Sequence, residues 1–176
     1  MTGRHALSLA LAGVLLLAPS ASADSGGTDV RAQFKQVAPA GGKGKVTSSG
    51  LALAPADAPQ QVKAVIAAGN RIAKKPYKYG GGHGRWIDSG YDCSGSVSFA
   101  LRGARLLRSP LASGGFMSWG LRGRGTWVTI RANSGHMYMV VAGLRFDTSA
   151  RKQGRSRWTA EMRSARGYVG RHPAGL

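Results

Sequence analysis

The chain holds one cysteine, Cys93, and four histidines, so few pairings among them could do covalent chemistry. Cys93 stands in Asp92-Cys93-Ser94-Gly95, directly before an apolar period of Val97, Leu101, Ala104 and Leu107. That period predicts a helix with the thiol at its N-cap or first position. Free backbone N–H groups and the positive end of the helix dipole favour a thiolate there. Gly95 leaves room near the sulfur for a substrate or a neighbouring backbone. A structural role competes, because unpaired cysteine is among the most commonly buried residue types. The polar flanks Asp92 and Ser94 weigh against it.

A thiolate that cuts an amide needs an imidazole to protonate the leaving amine. His5 lies in a leader-like segment and His172 in a basic tail. His83 sits in Gly80-Gly81-Gly82-His83-Gly84, expected to be too flexible for a base. His136 opens an apolar segment that reads as a strand, a rigid platform. If 136–141 and 144–149 pair around Ala142-Gly143, Tyr138 faces Asp147, and Asp147 is a diagonal neighbour of His136. A carboxylate there would fix the imidazole tautomer. A slip of one residue would present Thr148 instead. The plainer alternative for Asp147 is an ion pair with Arg145 or Arg151.

The elements that must carry these residues read as α+β. Asp57 is expected to cap a first helix, with Pro59 in its first turn and Val62, Val65, Ile66, Gly69, Ile72 and Ala73 along one face, ending near Lys74-Lys75 before Pro76. The cysteine helix follows the glycine-rich turn. Short strands are then expected at 126–131, 136–141 and 144–148, forming an antiparallel sheet.

Pro76-Tyr77-Lys78-Tyr79-Gly80-Gly81, then Asp92-Cys93-Ser94-Gly95, then Gly135-His136 at a strand opening, together resemble the NlpC/p60 family of cell-wall cysteine peptidases. The resemblance covers roughly residues 60–150 and implies a papain-like fold, with a Cys at a helix start packed on an antiparallel sheet that carries the His. It implies Cys93 as nucleophile, His136 as base, and Tyr77, with the flanking Asp92 and Ser94, on the substrate and oxyanion side. Cysteine before histidine argues against the permuted acyltransferase-like relatives. The chain departs from the family pattern in a longer 81–92 loop and in Gly125-Thr126-Trp127-Val128 where Gly-Asp-Leu is usual. It also has Asp147 or Thr148 where His, Asn or Gln commonly stands.

Composition sets the context. One cysteine excludes an internal disulfide framework and multi-thiolate zinc sites. No metal or other cofactor is expected. Residues 1–23 read as a signal peptide: Arg4 and His5, an apolar run from Ala6 to Leu17, and Ala21-Ser22-Ala23 before Asp24. Cleavage would leave no membrane span and place the chain outside the cytoplasm or in the cell envelope. Residues 24–58, rich in Gly, Ser and Pro, read as a flexible tether on which Leu51 and Leu53 could dock, and 59–176 as the catalytic domain. The 176 residues carry 25 Lys and Arg against 7 Asp and Glu, a net charge of +18. That excess draws polyanions. Arg151, Lys152, Arg155 and Arg157, with Lys74, Lys75 and Lys78, offer a surface for anionic wall polymers; charges spread over a solvated face are the alternative. Export and the lack of a recognition module argue against nucleic acid.

The expected function is a secreted, monomeric cysteine endopeptidase or amidase that hydrolyses amide bonds in peptidoglycan stem peptides. The runner-up is a catalytically inactive, basic wall-binding module of the same fold. Acyl transfer or deamidation by the same dyad is a third possibility.

Overall fold

A computed structural model describes Met1 and residues 42–151 and 156–176. The expected leader and most of the tether lie outside these residues, as do Lys152 and Arg155.

Residues 42–58 depart from the tether reading. Strands β1 (Lys45–Val46) and β2 (Ala52–Leu53) pair as an antiparallel hairpin, with Val46 opposite Ala52. Asn70 holds β2 as a neighbouring strand would. Its Oδ1 accepts from Ala52 N at 2.9 Å, and its Nδ2 donates to Ala52 O at 2.9 Å. Ala52 and Ala58 are buried and Leu51 packs on the core, whereas Leu53 stays exposed. The sequence hides this because the pairing partner is a helical side chain 18 residues away.

Helix α1 (Gln60–Ile72) begins one residue after Pro59, which occupies the N-cap in place of the expected Asp57. Val62, Val65, Ile66 and Ile72 form its buried face, each worth up to about 1.5–3 kcal/mol against exposure. Helix α2 (Cys93–Gly103) crosses it closely: a Cβ on Gly103 would lie 2.3 Å from Ala68 Cβ. On its sheet side, Gly69 lies so near Trp158 that an added Cβ would meet the indole at 2.6 Å.

After the short helix α3 (Ser113–Phe116) come β3 (Leu121–Arg122), β4 (Val128–Ala132), β5 (Met137–Val141), β6 (Leu144–Phe146), a 3-10 turn (Thr148–Ala150), β7 (Trp158–Thr159) and β8 (Val169–His172). The six strands form one antiparallel sheet in the order β3-β8-β4-β5-β6-β7. Met139 pairs with Phe146 and Val141 with Leu144, the register expected from the two-residue turn. Ala142 (φ 47°) and Gly143 (φ 76°) both take the left-handed conformation that a type I′ turn requires. The tail instead supplies β8, which inserts between β3 and β4, so His172 is a strand residue. The fold is α+β, with helices packed on an antiparallel sheet.

Arg157 corrects the surface reading of the basic cluster. It is fully buried, and its guanidinium uses all five donors. Nε donates to Ser96 Oγ, Nη1 to the carbonyls of Ile72 and Lys75, and Nη2 to those of Pro76 and Tyr91. Burial, and then the charge of Arg151, bring its pKa down to about 10, so it stays charged near neutrality. One side chain thus ties the end of α1, the turn before Tyr77 and the first turn of α2 to the sheet.

Candidate active site

Asp92 sets the start of α2. From an extended conformation its carboxylate accepts from Gly95 N at 2.7 Å, the N-cap arrangement, and this leaves Cys93 as the first helical residue. The Cys93 N–H is therefore among those a helix cannot satisfy internally. Gly95 is required here: a Cβ would stand 2.0 Å from Gly81 O, so the glycine loop lies directly on the helix start. What Gly95 admits is backbone, not substrate.

His136 is placed by the turn joining β4 to β5. Asn133 Oδ1 accepts from Gly135 N at 3.0 Å and His136 N at 2.8 Å, and Asn133 N donates to His136 O. This Asx-type turn fixes the residue immediately before β5. His136 Nε2 bonds Asp147 Oδ1 at 3.1 Å, so Nδ1 is the ring nitrogen not engaged by this carboxylate. Asp147, directly after β6, also caps the 3-10 turn by accepting from Ser149 N at 2.9 Å. Thr148 belongs to that turn and is not the partner of His136.

The charges fit a thiolate–imidazolium pair. Burial pushes the Cys93 thiol up, but hydrogen bonding to His136, Ser113 and Met137 N–H, with the imidazolium charge, brings it below its ordinary value. The hydrogen bond to Asp147, then that to Cys93, raises His136 to about 9 despite burial. Asp147 is pushed up by burial, yet the bonds from His136 and Ser149 hold it well below the usual carboxylate range. Cys93 is half-buried rather than sealed, with its sulfur 3.5 Å from Ser113 Oγ. Ser113 carries no signal in the sequence, since a serine between alanine and glycine is unremarkable.

Tyr77 is 55% exposed. Burial of its hydroxyl, followed by the nearby charges of Cys93 and Asp92, raises its pKa and keeps it a proton donor. It lines a groove of about 490 Å³ together with Thr148, Ser149 and Arg151. Asp92 and Ser94 are placed otherwise than expected. Both are buried, and they bond each other, Gly80 N and His83 Nε2. They brace the glycine loop and are not presented to a substrate. His83 is correspondingly held in place, at 3.0 Å from Asp92 Oδ1 and 3.1 Å from Ser94 Oγ. Among the described residues, no group of three or more His, Cys, Asp or Glu side chains is placed to hold a metal. No helix among them is long and apolar enough to cross a membrane.

No protein-family model and no curated protein matches the chain. Solved structures do. The chain is 25% identical to the hypothetical invasion protein Rv1477 of Mycobacterium tuberculosis, covering 64% of this chain and 62% of that one, with a TM-score of 0.47. It is 19% identical to the P60 domain of antigen MAP1204 from M. avium subspecies paratuberculosis, covering 64% and 94%, with a TM-score of 0.48. A mutated form of RipA, the resuscitation promoting factor interacting protein, is 22% identical over 64% and 62%, with a TM-score of 0.47. The chain thus spans 62% of the length of two of these three. One of the three is itself a P60 domain.

Proposed function

We propose that the protein is an exported cysteine hydrolase that cuts amide bonds in the stem peptides of peptidoglycan. The observation that carries this reading is Cys93 at the first position of α2, its thiol lowered by His136, and Asp147 hydrogen-bonded to the His136 ring. The stem-peptide substrate rests on the motif resemblance. The net charge of +18 suits a surface rich in carboxylates and phosphates.

In the proposed cycle the Cys93 thiolate attacks the scissile carbonyl carbon and a C–S bond forms. The carbonyl oxygen takes up the negative charge beside the Cys93 N–H and the Tyr77 hydroxyl. Imidazolium His136 gives its proton to the leaving nitrogen as the C–N bond breaks, releasing an amine and leaving a thioester. Neutral His136 then takes a proton from water, whose oxygen attacks the same carbon. The C–S bond breaks, freeing the acid and restoring the ion pair. Asp147 holds the ring throughout and stabilises its charged form.

The test is incubation of purified protein with defined muropeptides and mass analysis of the products. Wild type is expected to release a free amine and a free carboxylate from a stem peptide, and Cys93→Ala to release none. Cleavage that persists in Cys93→Ala removes the proposal. Wall binding without cleavage by wild type favours the binding module instead.

A further inference from the structure

Asp147 has a second oxygen, and the cysteine mechanism does not use it. Its side chain is fully buried, which makes an uncompensated carboxylate oxygen costly. Oδ1 serves His136 and Ser149 N. Oδ2 receives Arg163 Nη1 at 3.2 Å, and the same nitrogen lies 3.4 Å from Ser149 Oγ. Arg163 comes from the irregular segment between β7 and β8, far in sequence from both active-site elements. Its guanidinium packs on two aromatic rings, 5.4 Å from the ring centres of Tyr138 and Tyr168. Tyr168 in turn packs edge-on against Tyr138 at 5.2 Å and His136 at 6.4 Å.

We propose that Arg163 is a positioning residue that shares the Asp147 carboxylate with His136 and moderates its hold on the imidazolium proton. This rests on the cysteine-hydrolase reading. One consequence follows from the geometry. With a fixed cation on Oδ2, less negative charge faces His136, so the ring can release its proton to a leaving amine. The other charged or titratable groups around the pair are Cys93 on α2, Arg145 with Nε 3.8 Å from Oδ2, and Arg131, whose charge reaches Tyr138. Arg145 is too far to replace the clamp at hydrogen-bonding distance.

The sign of the effect separates this role from a merely structural one. Removing a nearby cation raises the proton affinity of an imidazole, whereas loosening the carboxylate lowers it toward the ordinary value. The experiment follows the His136 ring by NMR titration in full-length wild type, Arg163→Gln and Arg163→Lys, with kcat and KM measured alongside. Arg163→Gln is expected to move the midpoint upward by roughly half a pH unit and to lower kcat roughly tenfold with KM unchanged. Arg163→Lys keeps the charge and is expected to return most of both. A midpoint that stays fixed or moves downward in Arg163→Gln overturns the proposal. So does a Lys variant indistinguishable from Gln. A wild-type His136 titrating at its ordinary value would instead defeat the hydrolase reading, so the two failures are distinct.

Discussion

The molecule holds two histidine–aspartate pairs of almost equal length, and only one fits the base of the proposed cycle. His136 Nε2 lies 3.1 Å from Asp147 Oδ1, and His83 Nε2 lies 3.0 Å from Asp92 Oδ1; each imidazole is 26% exposed. Both aspartates also cap a helical turn. The difference lies in the rest of each ring and carboxylate. His136 meets its carboxylate through Nε2, so Nδ1 is the nitrogen left to exchange a proton while Asp147 holds the charged ring. His83 puts the same nitrogen, Nε2, against both Asp92 and Ser94. A Ser-His-Asp relay needs two nitrogens, and so Ser94 has no route to become a nucleophile. The Asp147 carboxylate faces the cations of Arg163 and Arg145 besides His136, whereas Asp92 serves the amides of Gly80 and Gly95 and the Ser94 hydroxyl. A hydrogen-bonded His–Asp pair is therefore not by itself a catalytic feature.

Substituting the two histidines gives the sharpest contrast. His136→Ala is expected to lower kcat by roughly a thousandfold, as loss of a general acid–base does. His83→Ala should retain most of the turnover and lower the melting temperature instead. Steady-state kinetics on a defined muropeptide, with calorimetry, reads both. Equal losses of kcat would erase the distinction.

The two carboxylates should separate next. Asp147→Asn is expected to cost roughly a hundredfold in kcat, because an amide no longer stabilises the charged ring. The His136 midpoint should then fall from about 9 toward 6.5. Asp92→Ala is expected to act on stability, by about 1 kcal/mol for the lost cap. Chemical denaturation measures that loss.

The smallest effect is in the pH dependence of stability. His136 has a raised proton affinity in the folded chain, so its contribution is complete below 6.5 and is lost as pH rises through about 9. The stability gap between wild type and His136→Ala should therefore narrow over that interval. A gap that is flat or widens there would contradict the ion pair.

Much of the fold was legible where the signal is local. The spacing of Val97 and Leu101 located α2, and the two-residue turn at Ala142-Gly143 fixed how β5 meets β6. From that register alone, Asp147 falls beside His136. What stayed hidden depends on distant partners. Arg157 and Arg163 look like any arginine in a basic chain, and only the fold surrounds one with carbonyls and the other with tyrosines. Strand β8 has a single aliphatic residue, Val169, so no alternation marks it. The glycine run around His83 suggested mobility, yet close backbone packing of Gly81 on Gly95 and the Asp92 bonds make it a fixed wall.

The pH dependence of Cys93 alkylation by iodoacetamide tests the thiolate–imidazolium pair most directly. The expected midpoint in wild type lies below the ordinary thiol value of 9.0, moves upward in His136→Ala, and stays unchanged in His83→Ala. A wild-type thiol that titrates at or above 9.0 would contradict the account.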